Sequence, residues 1–355
     1  MKIIPLGEPK IIMSNPHSKH NYFAWPTVTR LQNGKIAAVA SGFRLSHVCP
    51  FGKAVISYSD DNGESYTLPA PVIDTVLDDR DCGITPFGKS GVIVTSFNNT
   101  RAFQRQHSRT YGHAYLDTIS DAEEAAVLGS TFRISHDCGV TFGPIYKSPV
   151  TSPHGPLELA DGSLLWVGQV FDSWSQPDYN DSYIKAYRIF PDGTNEYVGS
   201  IPNVEIEGQI VQPCEPHTAL LENGDLLTHI RIEGSGFFSV FQSRSTDCGR
   251  TWSRPEALLE KRGGSPPHIL RHSSGMLIST YGYRNEPYGV KAMFSRDNGE
   301  SWDVGHDVYV NGISGDLGYP ASIELEDHSI LTVFYAIPKK GEPAVIMQQI
   351  WRFEE

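Results

Sequence analysis

The chain is 355 residues long, 39% hydrophobic, rich in glycine (33) and proline (24), and carries a formal net charge of −12. Its length admits two ordinary domains or one large unit built from repeats, and its apolar content suffices for a real core. The acid excess argues against nucleic acid or an anionic membrane as the principal partner, while allowing a local basic pocket.

The opening stretch "MKIIPLGEPK" has too short an apolar run for a signal peptide, and no later segment reaches membrane-spanning length. A cytoplasmic protein is expected, or a secreted one from which a leader has been removed. From Trp25 onward one pattern recurs: an apolar or proline-containing start, a Leu/Phe-x-Asp/Asn-Gly turn or a close variant, and a β-branched or Leu-rich run. The six copies are "WPTVTRLQNGKIAAVA" from Trp25, "CGITPFGKSGVIVTSF" from Cys82, "HGPLELADGSLLWVG" from His154, "EPHTALLENGDLLTHIR" from Glu215, "PHILRHSSGMLISTYGYR" from Pro267 and "YPASIELEDHSILTVFY" from Tyr319. Each reads as a strand, a tight turn and a second strand. Their starts lie about 50 to 70 residues apart, enough for one four-stranded propeller blade each.

Between the copies, "DAEEAAVLG" (Asp121 to Gly129) is the one segment with helical character. It closes a long insertion holding Arg101, Arg105, Arg109, His107 and His113, which could lean over a pocket as a basic wall or run over the surface. A second insertion, "FDSWSQPDYNDSYIK", follows the third copy. The five cysteines are Cys49, Cys82, Cys138, Cys214 and Cys248, an odd count that rules out complete pairing within one chain. No close Cys-x-x-Cys or His-x-x-x-His pair supports a zinc site, so no metal or other cofactor is expected.

Four octapeptides follow hairpins, where a third strand would turn into a fourth: "SDDNGESY" at Ser59, "SHDCGVTF" at Ser135, "STDCGRTW" at Ser245 and "SRDNGESW" at Ser295. The Asp carboxylate and Ser hydroxyl can bond the turn's backbone N–H groups, Gly supplies a positive φ, and the aromatic pins the turn. The phrase is a fold staple and carries no catalytic chemistry.

This pattern resembles the Asp-box repeats of the sialidase (neuraminidase) superfamily. The resemblance implies an all-β fold, a six-bladed propeller of four-stranded antiparallel blades, with residues 1–355 as one domain. In such a propeller the hairpin openers converge on a central pocket: Trp25, Asp81 beside Cys82, His154, Glu215, His217, His268 and Tyr319. Arg44, Arg231, Arg284 and Tyr335 would look inward from the ends of the second strands. So many ionisable groups exceed what a structural core tolerates.

Residue by residue, four positions match the sialidase pattern: Glu215 before "LLENGDLL", Arg231 after it, Arg284 in "STYGYR" and Tyr319 in "DLGYPASIEL". The match implies Tyr319 as a nucleophile activated by Glu215, the exception among glycosidases. It also implies Arg231, Arg284 and Arg44 as anchors for a planar anionic group. Two departures stand out. The first-blade arginine is replaced by Ala24 in "FAWP", with Trp25 following as a sugar platform or a plug of the axis. The loop "LSHVCPFGKA" lacks the expected aspartate, leaving His47 and Asp81 as candidates for acid and base. His154, His217 and His268 would contact substrate as pocket-wall hydrogen bonders.

The expected function is a sialidase-like exo-glycoside hydrolase acting on an acidic or modified terminal sugar. Two alternatives stay open: a propeller lyase or His-dependent glycosidase on uronic-acid glycans, and a non-catalytic carbohydrate-binding propeller. In each case the partner is a carbohydrate, in the first two an anionic one.

Overall fold

The computed structural model describes residues 1–171, 181–206, 209–234, 237–259 and 263–354. Most of the second insertion, residues 172–180, therefore lies outside the described residues. Six antiparallel sheets of four or five strands form the blades of a propeller. Blade 1 runs through Tyr22–Arg30, Ile36–Arg44, Lys53–Ser59 and Ala70–Ile73, and the pattern of three hairpin-linked strands and an outer fourth repeats around the ring. The second strands are buried on both faces, as in Ile36 to Ala40, because each is stacked between two neighbouring blades. A continuous apolar run, rather than alternation, is what such a position demands.

The ring closes with a device the short segments "KIIP" and "KIIM" do not advertise. Lys2–Pro5 and Lys10–Met13 both pair antiparallel with the C-terminal strand Val345–Glu354, completing the sixth blade from the other end of the chain. The closure covers an otherwise open sheet edge.

The four octapeptides form the same turn between third and fourth strands. In the last, Ser295 Oγ donates to Asp297 Oδ1 at 2.7 Å, Gly299 N donates to Ser295 Oγ at 2.8 Å and Ser301 N donates to Asp297 Oδ1 at 2.9 Å. These bonds, with the hydroxyl of the Ser or Thr after Gly, hold each Asp carboxyl at about 2. The turn also docks onto the preceding blade. Trp302 Nε1 donates to Gln242 Oε1 at 2.9 Å, and a Cβ on Gly299 (φ +86) would stand 2.7 Å from Leu227 Cδ2.

The first insertion folds as the helix Arg101–His107, a short helix His113–Leu116 and the helix Asp121–Val127, which Ser120 and Glu123 start with a reciprocal capping box. Two of its three arginines turn back on the insertion's own acids. Arg101 is spent on Glu124 (2.7 Å) and Asp121, and Arg105 on Asp117. Leu116 and Ile119 pack on Leu77, and the Tyr115 ring lies 5.0 Å from that of Phe51. The insertion thus buttresses the loop after blade 1's second strand, the loop that carries His47. No helix among the described residues is long and apolar enough to cross a membrane.

Candidate active site

The site is built on a repeated backbone irregularity. The innermost strand of five blades shifts register near its start: between Ala24 and Thr27, Arg80 and Gly83, Cys214 and His217, Ser265 and Pro267, and Gly318 and Ala321. At four of these bulges a non-glycine residue has positive φ: Trp25 (55°), Asp81 (46°), Glu215 (49°) and Tyr319 (50°). Such conformations cost of order 1–3 kcal/mol each and persist only where the surroundings over-determine them. A bulge re-aims its side chain, and here four are turned at equivalent positions of the ring.

Tyr319 and Glu215 meet as the hairpin pattern predicted. The Tyr319 hydroxyl donates to Glu215 Oε1 in a short hydrogen bond, and Glu215 Oε2 is ion-paired to Arg231 Nη1. That guanidinium also reaches the Tyr319 hydroxyl at 3.3 Å, and its Nη2 is paired with Glu233 at 2.6 Å. Burial first, then the charges of Glu215 and Asp81, push the Tyr319 hydroxyl well above its usual range, while Arg231 and Arg284 pull it back. The resting phenol therefore keeps its proton, with a carboxylate oxygen in position to take it. Arg284 donates from Nε to Leu317 O at 3.0 Å and from Nη2 to the Tyr335 hydroxyl at 3.2 Å; its guanidinium carbon is 5.8 Å from the Tyr319 ring centre.

Asp81 lies in the same group, 6% exposed, with Oδ1 unpartnered among the described residues. Burial and the neighbouring Glu215 raise its carboxyl to about 7, against the pull of Arg80, Arg44 and Arg231. That places it near neutrality, able to hold or release a proton, as Asp79 two residues earlier is also raised to about 7 by its burial.

Arg44 does not line the pocket. Its guanidinium is fully buried, bound to Asp78 through Nη1–Oδ1 (2.6 Å) and Nη2–Oδ2 (2.8 Å), and further engaged with Ser41 Oγ and His47 O. A substrate anion would have to displace a buried carboxylate to reach it. Trp25 is a plug rather than a platform. It is 1% exposed, with the guanidiniums of Arg80 and Arg44 at 4.0 and 4.7 Å from its ring centre, and the rings of His47, Tyr335 and Tyr319 at 4.9, 6.2 and 6.3 Å.

His154, His217 and His268 form a cluster of their own. His217 and His268 stack at 4.2 Å, and His154 stands edge-on to them at 5.3 and 5.0 Å. Backbone N–H groups of Ile269 and Ser322 donate to Nδ1 of His217 (2.9 Å) and His268 (3.3 Å), so both rings carry their proton on Nε2. Thr27 donates to Pro153 O at 2.8 Å, which makes its oxygen the acceptor for His154 Nδ1–H at 3.0 Å. Burial holds all three neutral, with His217 lowered to about 3 and the others well below the ordinary imidazole value. His154 is sealed at 2% exposure and cannot touch a ligand without rearrangement. Among the described residues, no group of three or more His, Cys, Asp or Glu is arranged to hold a metal ion.

At the rim the His47 side chain is 52% exposed, with Asp316 (32%) beside it. Asp316 accepts from Tyr22 Oη at 3.0 and 3.1 Å and from Tyr335 Oη at 3.1 Å; His47 Nδ1 lies 3.1 Å from Tyr22 Oη and 3.5 Å from Asp316 Oδ1. Asp316, Tyr22, Arg80 and Glu233 were not read from the sequence as site residues. Asp316 stands in a quoted motif, three residues before Tyr319 in "DLGYP", and Arg80 is the immediate neighbour of the predicted Asp81. A cleft of about 510 Å³ lies elsewhere, lined among others by His20, Phe51, Lys53 and Tyr115. Size does not choose the site; convergence of perturbed ionisable groups does.

The fold is a six-bladed propeller of the kind found in sialidases, which recur among the solved structures that superpose on this chain. A protein of unknown function from Dyadobacter fermentans superposes with a TM-score of 0.76 at 20% identity, over 99% of each chain. The intramolecular trans-sialidase from Ruminococcus gnavus gives 0.67 at 12% identity over 97% of each chain. A sialidase from Streptococcus pneumoniae gives 0.66 at 14% identity, over 98% of this chain and 71% of its own. No family model and no curated protein matches the sequence.

Proposed function

We propose that the protein is a glycoside hydrolase that releases a terminal sugar from a glycan, working through Tyr319 and Glu215. The observation that carries this reading is the short hydrogen bond from the Tyr319 hydroxyl to Glu215, with Arg231 against both partners. Tyr319 Oη attacks the anomeric carbon as its proton passes to Glu215 Oε1, and the bond from that carbon to the leaving oxygen breaks. His47 at the rim gives its proton to the leaving oxygen. Water then enters; neutral His47 takes its proton as it attacks the anomeric carbon, and the departing Tyr319 oxygen recovers its proton from Glu215. Arg231 holds Glu215 against the Tyr319 hydroxyl and steadies the negative charge that grows on the Tyr319 oxygen as its proton leaves, and Arg284 is the guanidinium placed to meet an acidic group on the sugar. Asp81, near neutrality, contacts the bound ring or serves as an alternative proton donor. The four octapeptide turns are Asp-box repeats in this reading, and the sialidase-type fold of the neighbours supports a carbohydrate ligand.

The experiment is sugar release from a panel of 4-methylumbelliferyl glycosides and uronic-acid oligosaccharides by wild type and Tyr319→Phe. Release by wild type that Tyr319→Phe lowers by at least about 100-fold supports the reading. Release that survives Tyr319→Phe, or that yields an unsaturated sugar, moves the protein to proton abstraction by His47. Silence of the wild type across the panel favours a carbohydrate-binding propeller, although binding alone needs no tyrosine held against a carboxylate.

A further inference from the structure

We infer that Asp316 and Tyr22 are positioning residues for the acid/base: they fix His47 as the Nδ1–H tautomer and leave Nε2 to exchange the proton with the leaving group. The inference rests on the glycosidase reading and deepens it.

The tautomer follows from counting protons. Tyr22 has a single hydroxyl hydrogen, and its oxygen lies 3.0 and 3.1 Å from the two oxygens of Asp316, which as a carboxylate can only accept. The Tyr22 oxygen is thereby the acceptor in its 3.1 Å contact with His47 Nδ1, so Nδ1 must be the donor. Asp316, 3.5 Å from the same nitrogen, collects hydrogen bonds from Tyr22 and from Tyr335, which is in turn bound by Arg284. His47 Nε2 has no partner among the described residues, on a side chain that is 52% exposed.

Three elements hold the ring in place. Its backbone carbonyl accepts from Arg44 Nη2 at 2.8 Å and Arg80 Nη1 at 2.9 Å, so two guanidiniums from neighbouring blades pin the loop. Trp25 meets the imidazole edge-on at 4.9 Å. The arrangement places a carboxylate from blade 6 behind an imidazole from blade 1, with Asp316 three residues from Tyr319, so the carboxylate that positions the acid/base and the nucleophile share one strand entry.

The groups facing His47 push in opposite directions. Burial lowers its pKa, the hydrogen bond and charge of Asp316 raise it, and Arg80 and Arg44 lower it; the balance falls below the ordinary value. The carboxyl of Asp316 stays ionised: burial opposes this, but His47, Tyr22 and Tyr335 outweigh it. An acid that must be protonated before bond cleavage then gives a rate that falls as pH rises through the His47 pKa. Removing the Asp316 charge must carry that alkaline limb to still lower pH.

The test compares wild type, His47→Ala, Asp316→Asn and Tyr22→Phe on two leaving groups, an alkyl glycoside and a 4-methylumbelliferyl glycoside of the same sugar. The His47 ring is titrated in parallel by NMR in wild type and Asp316→Asn. His47→Ala should lose at least about 100-fold on the alkyl glycoside and far less on the aryl one, whose phenolate leaves without help. Asp316→Asn should shift both the alkaline limb and the His47 titration to lower pH, and Tyr22→Phe should lower the rate on the alkyl glycoside alone. Equal losses on the two leaving groups, or a His47 titration unmoved in Asp316→Asn, would overturn the inference while leaving Tyr319 and Glu215 untouched. A wild type silent on every glycoside would instead overturn the parent reading, and this one with it.

Discussion

Asp78 is the residue whose loss should be felt most widely. It is 1% exposed and gives both carboxylate oxygens to the fully buried Arg44, while Oδ2 also accepts from Cys49 N at 3.0 Å and lies 3.4 Å from Arg80. Asp78→Ala strips a buried guanidinium of its counter-ion, a change that costs about 3–5 kcal/mol, and orphans the Cys49 N–H, adding about 1 kcal/mol or more. That is a large part of the roughly 5–15 kcal/mol that keeps a folded chain folded. Urea unfolding followed by tryptophan fluorescence should show the midpoint falling by a corresponding amount at unchanged slope. The double variant Arg44→Met/Asp78→Leu should recover part of the loss, because the fully buried Arg44 guanidinium goes with its counter-ion while Arg80 still loses its contact with Asp78. A loss below about 1 kcal/mol in Asp78→Ala would refute the view that this ion pair anchors the His47 loop.

Other outcomes follow from the same contacts. Glu215→Gln keeps an acceptor for Tyr319 but cannot take its proton, so sugar release should fall at least about 100-fold while the urea midpoint moves little. Gly299→Ala puts a Cβ 2.7 Å from Leu227 Cδ2 at φ +86 and should destabilise by about 1–3 kcal/mol, seen in the same urea assay. The octapeptide aspartates, lowered to about 2, contribute stability that is fully present above the unfolded carboxyl value near 4 and is lost as pH falls towards 2. Circular dichroism should therefore show native structure persisting below pH 4, and Asp297→Asn should unfold at higher pH than wild type.

What was legible in the sequence was local. A hairpin or an octapeptide turn is specified by residues within eight to sixteen positions of one another, so Ser295, Asp297 and Gly299 announce their own hydrogen bonds. The ring of hairpins then brings Glu215 to Tyr319 across two blades without further information. Arg44 was misread because its partner, Asp78, arrives from the crossing into the next blade, and nothing near "SGFRLSHV" signals that the guanidinium is already spoken for. The histidines were read as pocket walls because their type suggests it; their tautomers depend on backbone N–H groups of Ile269 and Ser322, which only the packed strands supply. Asp316 escaped notice although it stands in a quoted motif, because its partners Tyr22 and His47 lie about 270 to 295 residues away. Closure of the sixth blade by Lys2–Pro5 was invisible for the same reason.

The central claim is that Tyr319 is the nucleophile. Wild type and Glu215→Gln should be incubated with an activated fluoro-glycoside of whichever sugar the release panel identifies, quenched in acid, digested and mapped by mass spectrometry. The account predicts one glycosyl adduct, on the peptide that contains Tyr319, absent in Tyr319→Phe. Turnover with no adduct on that peptide, or an adduct that persists in Tyr319→Phe, would contradict it.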